Sequence, residues 1–231
     1  MKWIGPAAIA GIIAIGLAFG IPAMIGGDSS AEFSAYASEW NGAEDARLSL
    51  QEQGYQVGNI GSSPIILTDV NPKDTIVFVF GMGLPYGIKE MEALDDFMND
   101  GGSVVILDDY GYGNEYTERH DIGYKKRALV DEQFDRNQSF VRVNAEFASK
   151  SFPVLLNGAV VLEDVSQNST TKVILRSSEF SYLDLNEKDG IDVADTIGPF
   201  VVGLQKPIGL EGGELIVIAD SALFLQDMIN R

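Results

Sequence analysis

The chain has 231 residues, with 34 acidic and 16 basic side chains, a formal net charge of -18, one histidine and no cysteine. So acidic a surface excludes docking on a nucleic-acid backbone, which needs clustered Lys and Arg, and it repels anionic lipid headgroups. The missing cysteine excludes disulfides, thiolate nucleophiles, zinc–thiolate sites and cysteine lipidation, and a lone histidine excludes a multi-histidine metal centre.

Met1 and Lys2 precede an apolar run from Trp3 to Gly27 that contains no charged residue. About 20 apolar residues span a bilayer as a helix. No convincing small-x-small cleavage site stands before Asp28, so residues 1–27 are expected to form an uncleaved transmembrane anchor. Lys2 lies before the run, and Asp28 and Glu32 lie after it. The positive-inside rule then predicts a single-pass protein of the cell membrane with its globular domain extracytoplasmic. Asn137-Gln-Ser139 and Asn168-Ser-Thr170 are glycosylation sequons compatible with that side.

Roughly 200 residues remain, enough for one sizeable domain. Asp28 to Glu39 is polar, with a short strand expected at Glu32 to Ala37; residues 28–37 are taken as a linker and 38–231 as the domain. Asn41-Gly42 opens a helix over Ala43 to Gln53, ended by Gly54. Tyr55 to Val57 reads as a strand, Ile65 to Thr68 as a short apolar piece, and Asn71 to Asp74 as a turn. Thr75 to Phe80 is a buried strand that runs into the loop Gly81-Met-Gly83-Leu-Pro85-Tyr-Gly87. Ile88 to Asn99 places Ile88, Met91, Leu94, Phe97 and Met98 at helical spacing among acids.

Gly101-Gly102 then introduces Ser103 to Leu107, a continuous β-branched run of the kind covered on both faces of a sheet. It ends abruptly at Asp108-Asp109-Tyr110-Gly111. Asn114 to Arg127 is polar, with a short helix. Ser139 to Val143, Phe152 to Leu156, Val160 to Leu162 and Lys172 to Arg176 read as short strands of an irregular insertion spanning about 121–196. Pro199 to Leu204 and Glu214 to Ala219 are further strands, the second ending at Asp220-Ser221, and Ala222 to Ile229 begins a helix. The alternation of strands and helices predicts an α/β domain: a parallel sheet in three layers, flavodoxin-like, with a β-rich insertion, behind one transmembrane helix. Ligands sit beyond the carboxyl ends of strands in such sheets. That brings Asp108, Asp109, Asp220 and Ser221 to one edge.

Four stretches carry a resemblance: Asn41-Gly42 with Gly54-Tyr55-Gln-Val57; Asp74 to Gly81 with the acidic helix into Asn99-Asp-Gly-Gly102; Asp108-Asp-Tyr-Gly-Tyr-Gly-Asn114; and Ile197-Gly-Pro-Phe200 with Gly213 to Phe224. Together they resemble the class I glutamine-amidotransferase-like fold, and within it the membrane-anchored proteins of domain-of-unknown-function family 4350, common in archaea. Similar domains occur in gliding-motility transporter subunits, intraflagellar transport proteins and the 48-kDa subunit of oligosaccharyltransferase. The resemblance implies a catalytic cysteine after the strand matching Gly102 to Leu107. Here that turn is Asp108-Asp109-Tyr110-Gly111, so amidotransfer, which uses a thiolate, is not implied.

Asn41, Gly81, Asp108, Asp109, Tyr110, Gly111, Asp220 and Ser221 are the candidate ligand-binding residues. Asp108, Asp109 and Asp220 offer oxygen ligands for calcium or magnesium; equally, Asp108 and Asp220 serve as caps that accept backbone N–H groups. A glycosidase carboxylate pair would need an aromatic cleft, for which Tyr86, Tyr110, Tyr112 and Tyr116 are available. Gly81-Met-Gly83 and Gly111-Tyr-Gly113 are short of a phosphate-binding fingerprint, and their acidic surroundings repel anions. His120 reads as exposed, and neither Ser103 nor Ser221 lies in a nucleophile elbow. The expectation is a non-catalytic extracytoplasmic binding or scaffold domain with no cofactor and no nucleic acid. It would be held to the membrane by its N-terminal helix, with a protein partner in an envelope complex. The alternative is a divalent-cation-dependent hydrolase.

Overall fold

The computed structural model describes residues 12–16, 32–147, 149–164, 170–183 and 196–229, the first of these as backbone only. β1 (Ile12–Gly16) comes first. α1 (Glu44–Glu52) carries Glu44 and Asp45 in its first turn, where negative charge suits the helix dipole. β2 (Val57–Asn59) leads to a 3-10 turn at Pro64–Asp69 and then to β3 (Ile76–Phe80). α2 (Ile88–Asn99) starts where Glu90 Oε2 accepts the Gly87 N–H at 2.8 Å while Oε1 accepts the Ser63 hydroxyl at 2.7 Å. It buries Ala93, Leu94, Phe97 and Met98. β4 (Ser103–Leu107), α3 (Gly113–Thr117), β5 (Ile122–Lys125), β6 (Leu129–Asp131) and β7 (Phe134–Asp135) follow. Next come β8 (Asn137–Phe147), β9 (Lys150–Asn157), β10 (Val161–Asp164), β11 (Lys172–Arg176), β12 (Ser181–Leu183) and β13 (Thr196–Ile197). β14 (Val201–Ile208), β15 (Gly213–Ile218) and α4 (Gln226–Ile229) complete the order.

The main sheet runs β2-β1-β3-β4-β15-β14-β11-β8-β7, with β9 paired to β8. From β2 to β15 the strands are parallel. From β15 onward every pairing is antiparallel. The expected parallel sheet is therefore corrected to a mixed α/β sheet. The cause is local: β14 returns into β15 over four residues, a hairpin length that forbids a parallel crossover. The stretch expected as an irregular insertion contributes β7, β8, β9 and β11 to this same sheet, and β5, β6, β10, β12 and β13 to two small ones.

Alternate residues of the parallel strands face opposite sides. Val77, Val79, Val104, Ile106, Leu215 and Val217 pack with Leu94, Phe97 and Met98 of α2. On the other face, Phe80, Val105, Leu107 and Ile218 pack with Val141, Leu156, Val161 and Val202.

Three smaller expectations change. Residues 32–37 form turns, not a strand. The Tyr55 strand slides to Val57–Asn59. The last helix begins only at Gln226, because Asp220 Oδ1 takes the Ala222 N–H and folds the chain into a turn first. Among the described residues no helix is long and apolar enough to cross a membrane. The expected anchor falls on residues 1–11 and 17–27, which lie outside the described residues, and on Ile12–Gly16, held as β1 between β2 and β3.

Candidate functional site

β4 and β15 are adjacent, with Leu107 opposite Ile218. The acids that follow them therefore emerge side by side, as the shared Gly-Gly, apolar run, Asp pattern predicts. Asp108 is 1 % exposed and Asp220 is fully buried. Asp108 Oδ2 accepts the Gly113 N–H at 2.5 Å. The loop folds tightly over this carboxyl: a Cβ on Gly111 would lie 2.5 Å from Oδ1 and one on Gly113 2.6 Å from Oδ2. Asp108 Oδ1 has no hydrogen-bond partner. Burial raises the Asp108 pKa, with the Gly113 N–H opposing it and the charge of Asp109 adding to it.

Asp220 ties two elements to the strand end. Its Oδ2 accepts from Asn157 N and its Oδ1 from Ala222 N, both at 2.6 Å. Burial nevertheless pushes its pKa up to about 7. Asp109 is half-buried; Oδ2 accepts from the Ser221 hydroxyl at 3.0 Å and Oδ1 from Tyr110 N at 2.6 Å. Tyr110 points outward, 53 % exposed.

Asn41 and Gly81 meet at Phe33, and Gly81 also lies beside the strand end that carries Asp108. Gly81 donates its N–H to Leu107 O at 2.8 Å, and Phe33 donates to Asn41 O at 2.9 Å. A Cβ on Gly81 would meet the Phe33 ring at 2.5 Å. Asn41 Oδ1 is buried without a partner.

Two residues at the acidic edge carry no sequence signal, because they arrive from β5 and the turn after it. Tyr124 buries a hydroxyl that has no partner, and its pKa is raised by burial and by Asp108 and Asp109. Lys126 Nζ donates to Gly111 O at 2.5 Å and to Tyr110 O at 3.3 Å, setting one positive charge on the acidic loop.

His120 is not the exposed residue the sequence suggests. Its side chain is 13 % exposed and Nε2 lies 2.9 Å from Asp95 Oδ1. Asp95 also accepts from Tyr116 Oη at 2.9 Å and Arg119 Nη2 at 2.8 Å. Burial works to raise the Asp95 pKa, but the hydrogen bonds from His120, Arg119 and Tyr116 outweigh it and hold the carboxyl below its ordinary value. This network straps α2 to the α3 segment.

The chemistry available follows from these partners. Asp108 and Asp220 spend oxygens on backbone N–H groups, as caps do. Ser221 faces Asp109, while His120 is engaged by Asp95, so no nucleophile–base pair of a triad is assembled from them. Among the described residues no group of three acidic or histidine side chains is arranged to hold a metal ion.

Comparisons bear on the fold. The sequence profile of DUF4350, a domain of unknown function, matches residues 35–231. The structure is similar to the mmIFT52 N-terminal domain (TM-score 0.65, 10 % identity, covering 95 % of this chain and 90 % of that one). It is also similar to a putative ThuA-like protein from Bacteroides uniformis (0.55, 11 %, 99 % and 93 %) and to a cytoplasmic protein from Salmonella typhimurium (0.52, 11 %, 91 % and 87 %). At such identities the likeness shows fold alone. No curated protein matches the chain.

Proposed function

The chain belongs to the DUF4350 family, and from that premise we propose that it is a non-catalytic binding or scaffold domain of amidotransferase-like ancestry, an accessory subunit of an envelope complex that is either a transporter or a glycan-handling machine. Its apolar N-terminal segment carries it at the cell membrane, with the domain outside. One observation carries the non-catalytic part: the two buried acids at the strand ends, Asp108 and Asp220, are engaged by Gly113 N, Asn157 N and Ala222 N. The turn where an amidotransferase needs a thiolate offers Asp108 and Asp109 instead.

The test is affinity purification of the tagged full chain from native membranes in mild detergent. A stoichiometric transporter or glycan-handling partner supports the reading. A chain that purifies alone, or an isolated domain that turns over a substrate and loses that activity in Asp109→Ala, counts against it.

The unpartnered Asp108 Oδ1 favours a second reading, a divalent-cation-dependent hydrolase using Asp108, Asp109 and Asp220. A melting temperature raised by calcium or magnesium, and not raised in Asp109→Asn, would support it. An unchanged melting temperature removes it.

A further inference from the structure

β2 and β3 do not pair with each other. One strand separates them: Ile12 lies opposite Val57 and Ile76, Ile13 opposite Gly58 and Val77, and Ala14 opposite Asn59 and Phe78, parallel on both sides. Without that strand β3, an inner strand of the sheet, would present an open row of N–H and C=O groups, the template for strand addition. The slot is also apolar on one face. Ala46, Leu50, Val57, Phe78, Phe80 and Phe224 help to line a cavity of about 330 Å³ beside it. The sequence Ile12-Ile-Ala-Ile-Gly16 suits the place, being uncharged and rich in β-branched isoleucine, as strands inside a parallel sheet are.

These five residues are also the middle of the Trp3–Gly27 run. Removing them leaves residues 3–11, which is nine, and 17–27, which is eleven. At about 1.5 Å per helical residue, neither flank reaches across a hydrocarbon core of about 30 Å. The segment can complete the sheet or cross a bilayer, but not both at once.

We propose that the slot between β2 and β3 is a strand acceptor whose occupant is the chain's own Ile12–Gly16, so that docking in the sheet and insertion into a bilayer are alternative fates of one segment. Insertion empties the slot and bares the edge of β3. The proposal goes beyond the membrane-tether reading and can fail separately from it.

The absence of cysteine gives a clean test. The full chain carrying Ile13→Cys with Val77→Cys is synthesised cell-free, with and without phosphatidylcholine vesicles, and oxidised. Neighbouring strands lie about 4.8 Å apart, within disulfide reach. Val77→Cys with Val104→Cys is the pair already juxtaposed in β3 and β4, and Ile13→Cys with Val104→Cys is two strands apart. The expected result is a disulfide between positions 13 and 77, and none between 13 and 104, in soluble chain made without lipid. The 13–77 disulfide should be absent from chain that resists alkaline extraction from vesicles. Soluble chain without the 13–77 disulfide overturns the proposal. So does aggregation without lipid, because docking is what would shelter the segment, and so does a 13–77 disulfide in the alkali-resistant fraction. A chain that stays soluble and disulfide-linked beside vesicles supports the docking and defeats the tether. In the cysteine-free chain Ile13→Pro removes a ladder donor, and its melting temperature should fall by roughly 5–10 °C; an unchanged value overturns the docking.

Discussion

The Ser221 hydroxyl donates to Asp109 Oδ2 at 3.0 Å, joining two strand ends that lie 112 residues apart in the chain. Neither group is needed to hold the sheet, whose ladder between β4 and β15 is complete from Glu214 to Ile218. Ser221→Ala should cost only about 0.5–1.5 kcal/mol, the net value of one such bond. If this edge contacts a partner, the same change weakens co-purification more than it lowers the urea midpoint, and comparing the two separates surface from scaffold.

Gly113→Ala is expected to be far more damaging. The new methyl would sit 2.6 Å from Asp108 Oδ2, a carboxyl that cannot move because it is buried and bonded to that residue's own N–H. Overpacking of this kind costs about 1–3 kcal/mol. Gly123→Ala is the control, since nothing lies within 4 Å of its added Cβ. Equilibrium denaturation of both variants checks the difference.

Stability should decline as pH rises from mildly acidic to neutral. Asp220 titrates near 3.8 when unfolded and near 7 when folded, so the folded state holds its proton more tightly. That contribution is fully present below about 3.8 and is lost as pH climbs to about 7. Burial shifts Asp108 in the same direction. Asp95, held below its ordinary value, acts oppositely: its contribution is present above the ordinary carboxylate range and lost as pH falls through its folded value. Thermal melts should therefore fall between about pH 4 and pH 7, and Asp220→Asn should flatten that decline while lowering stability at its acidic end, since an amide presents one acceptor where Asn157 N and Ala222 N need two.

Asp95→Ala strands three donors at once: the Tyr116 hydroxyl, the Arg119 guanidinium and the His120 ring. The loss should be about 2–3 kcal/mol, with Asp95→Asn intermediate. Hydrogen exchange should show the α3 segment opening before the parallel strands.

Much of the parallel half was legible from local pattern. Ile88 to Asn99 and Ser103 to Leu107 are read at their observed bounds because apolar spacing and flanking glycines agree there. The convergence of Asp108, Asp109, Asp220 and Ser221 follows from one motif used twice on neighbouring strands. The antiparallel half was not legible in the same way. β8 reads as five residues and is eleven, because its length is set by pairing with β9 and β11, not by its own alternating sequence. Asn157 reaches the acidic edge from β9 through those same pairings, while Tyr124 and Lys126 reach it from β5 and the residue after it, β5 being paired with β10. His120 misleads for a related reason: its polar sequence neighbours say nothing of Asp95 arriving from α2.

β15 carries a further consequence. It pairs with β4 on one side and β14 on the other, and among the described strands it is the last to be translated. Until residue 218 has been translated, the parallel and antiparallel halves are separate pieces, and β4 has an uncovered flank. Domains generally fold as units, and unpaired strand edges are sticky while they wait. A nascent chain that has not yet reached β15 cannot close this sheet, and the bare edge of β4 is where it is open to mispairing.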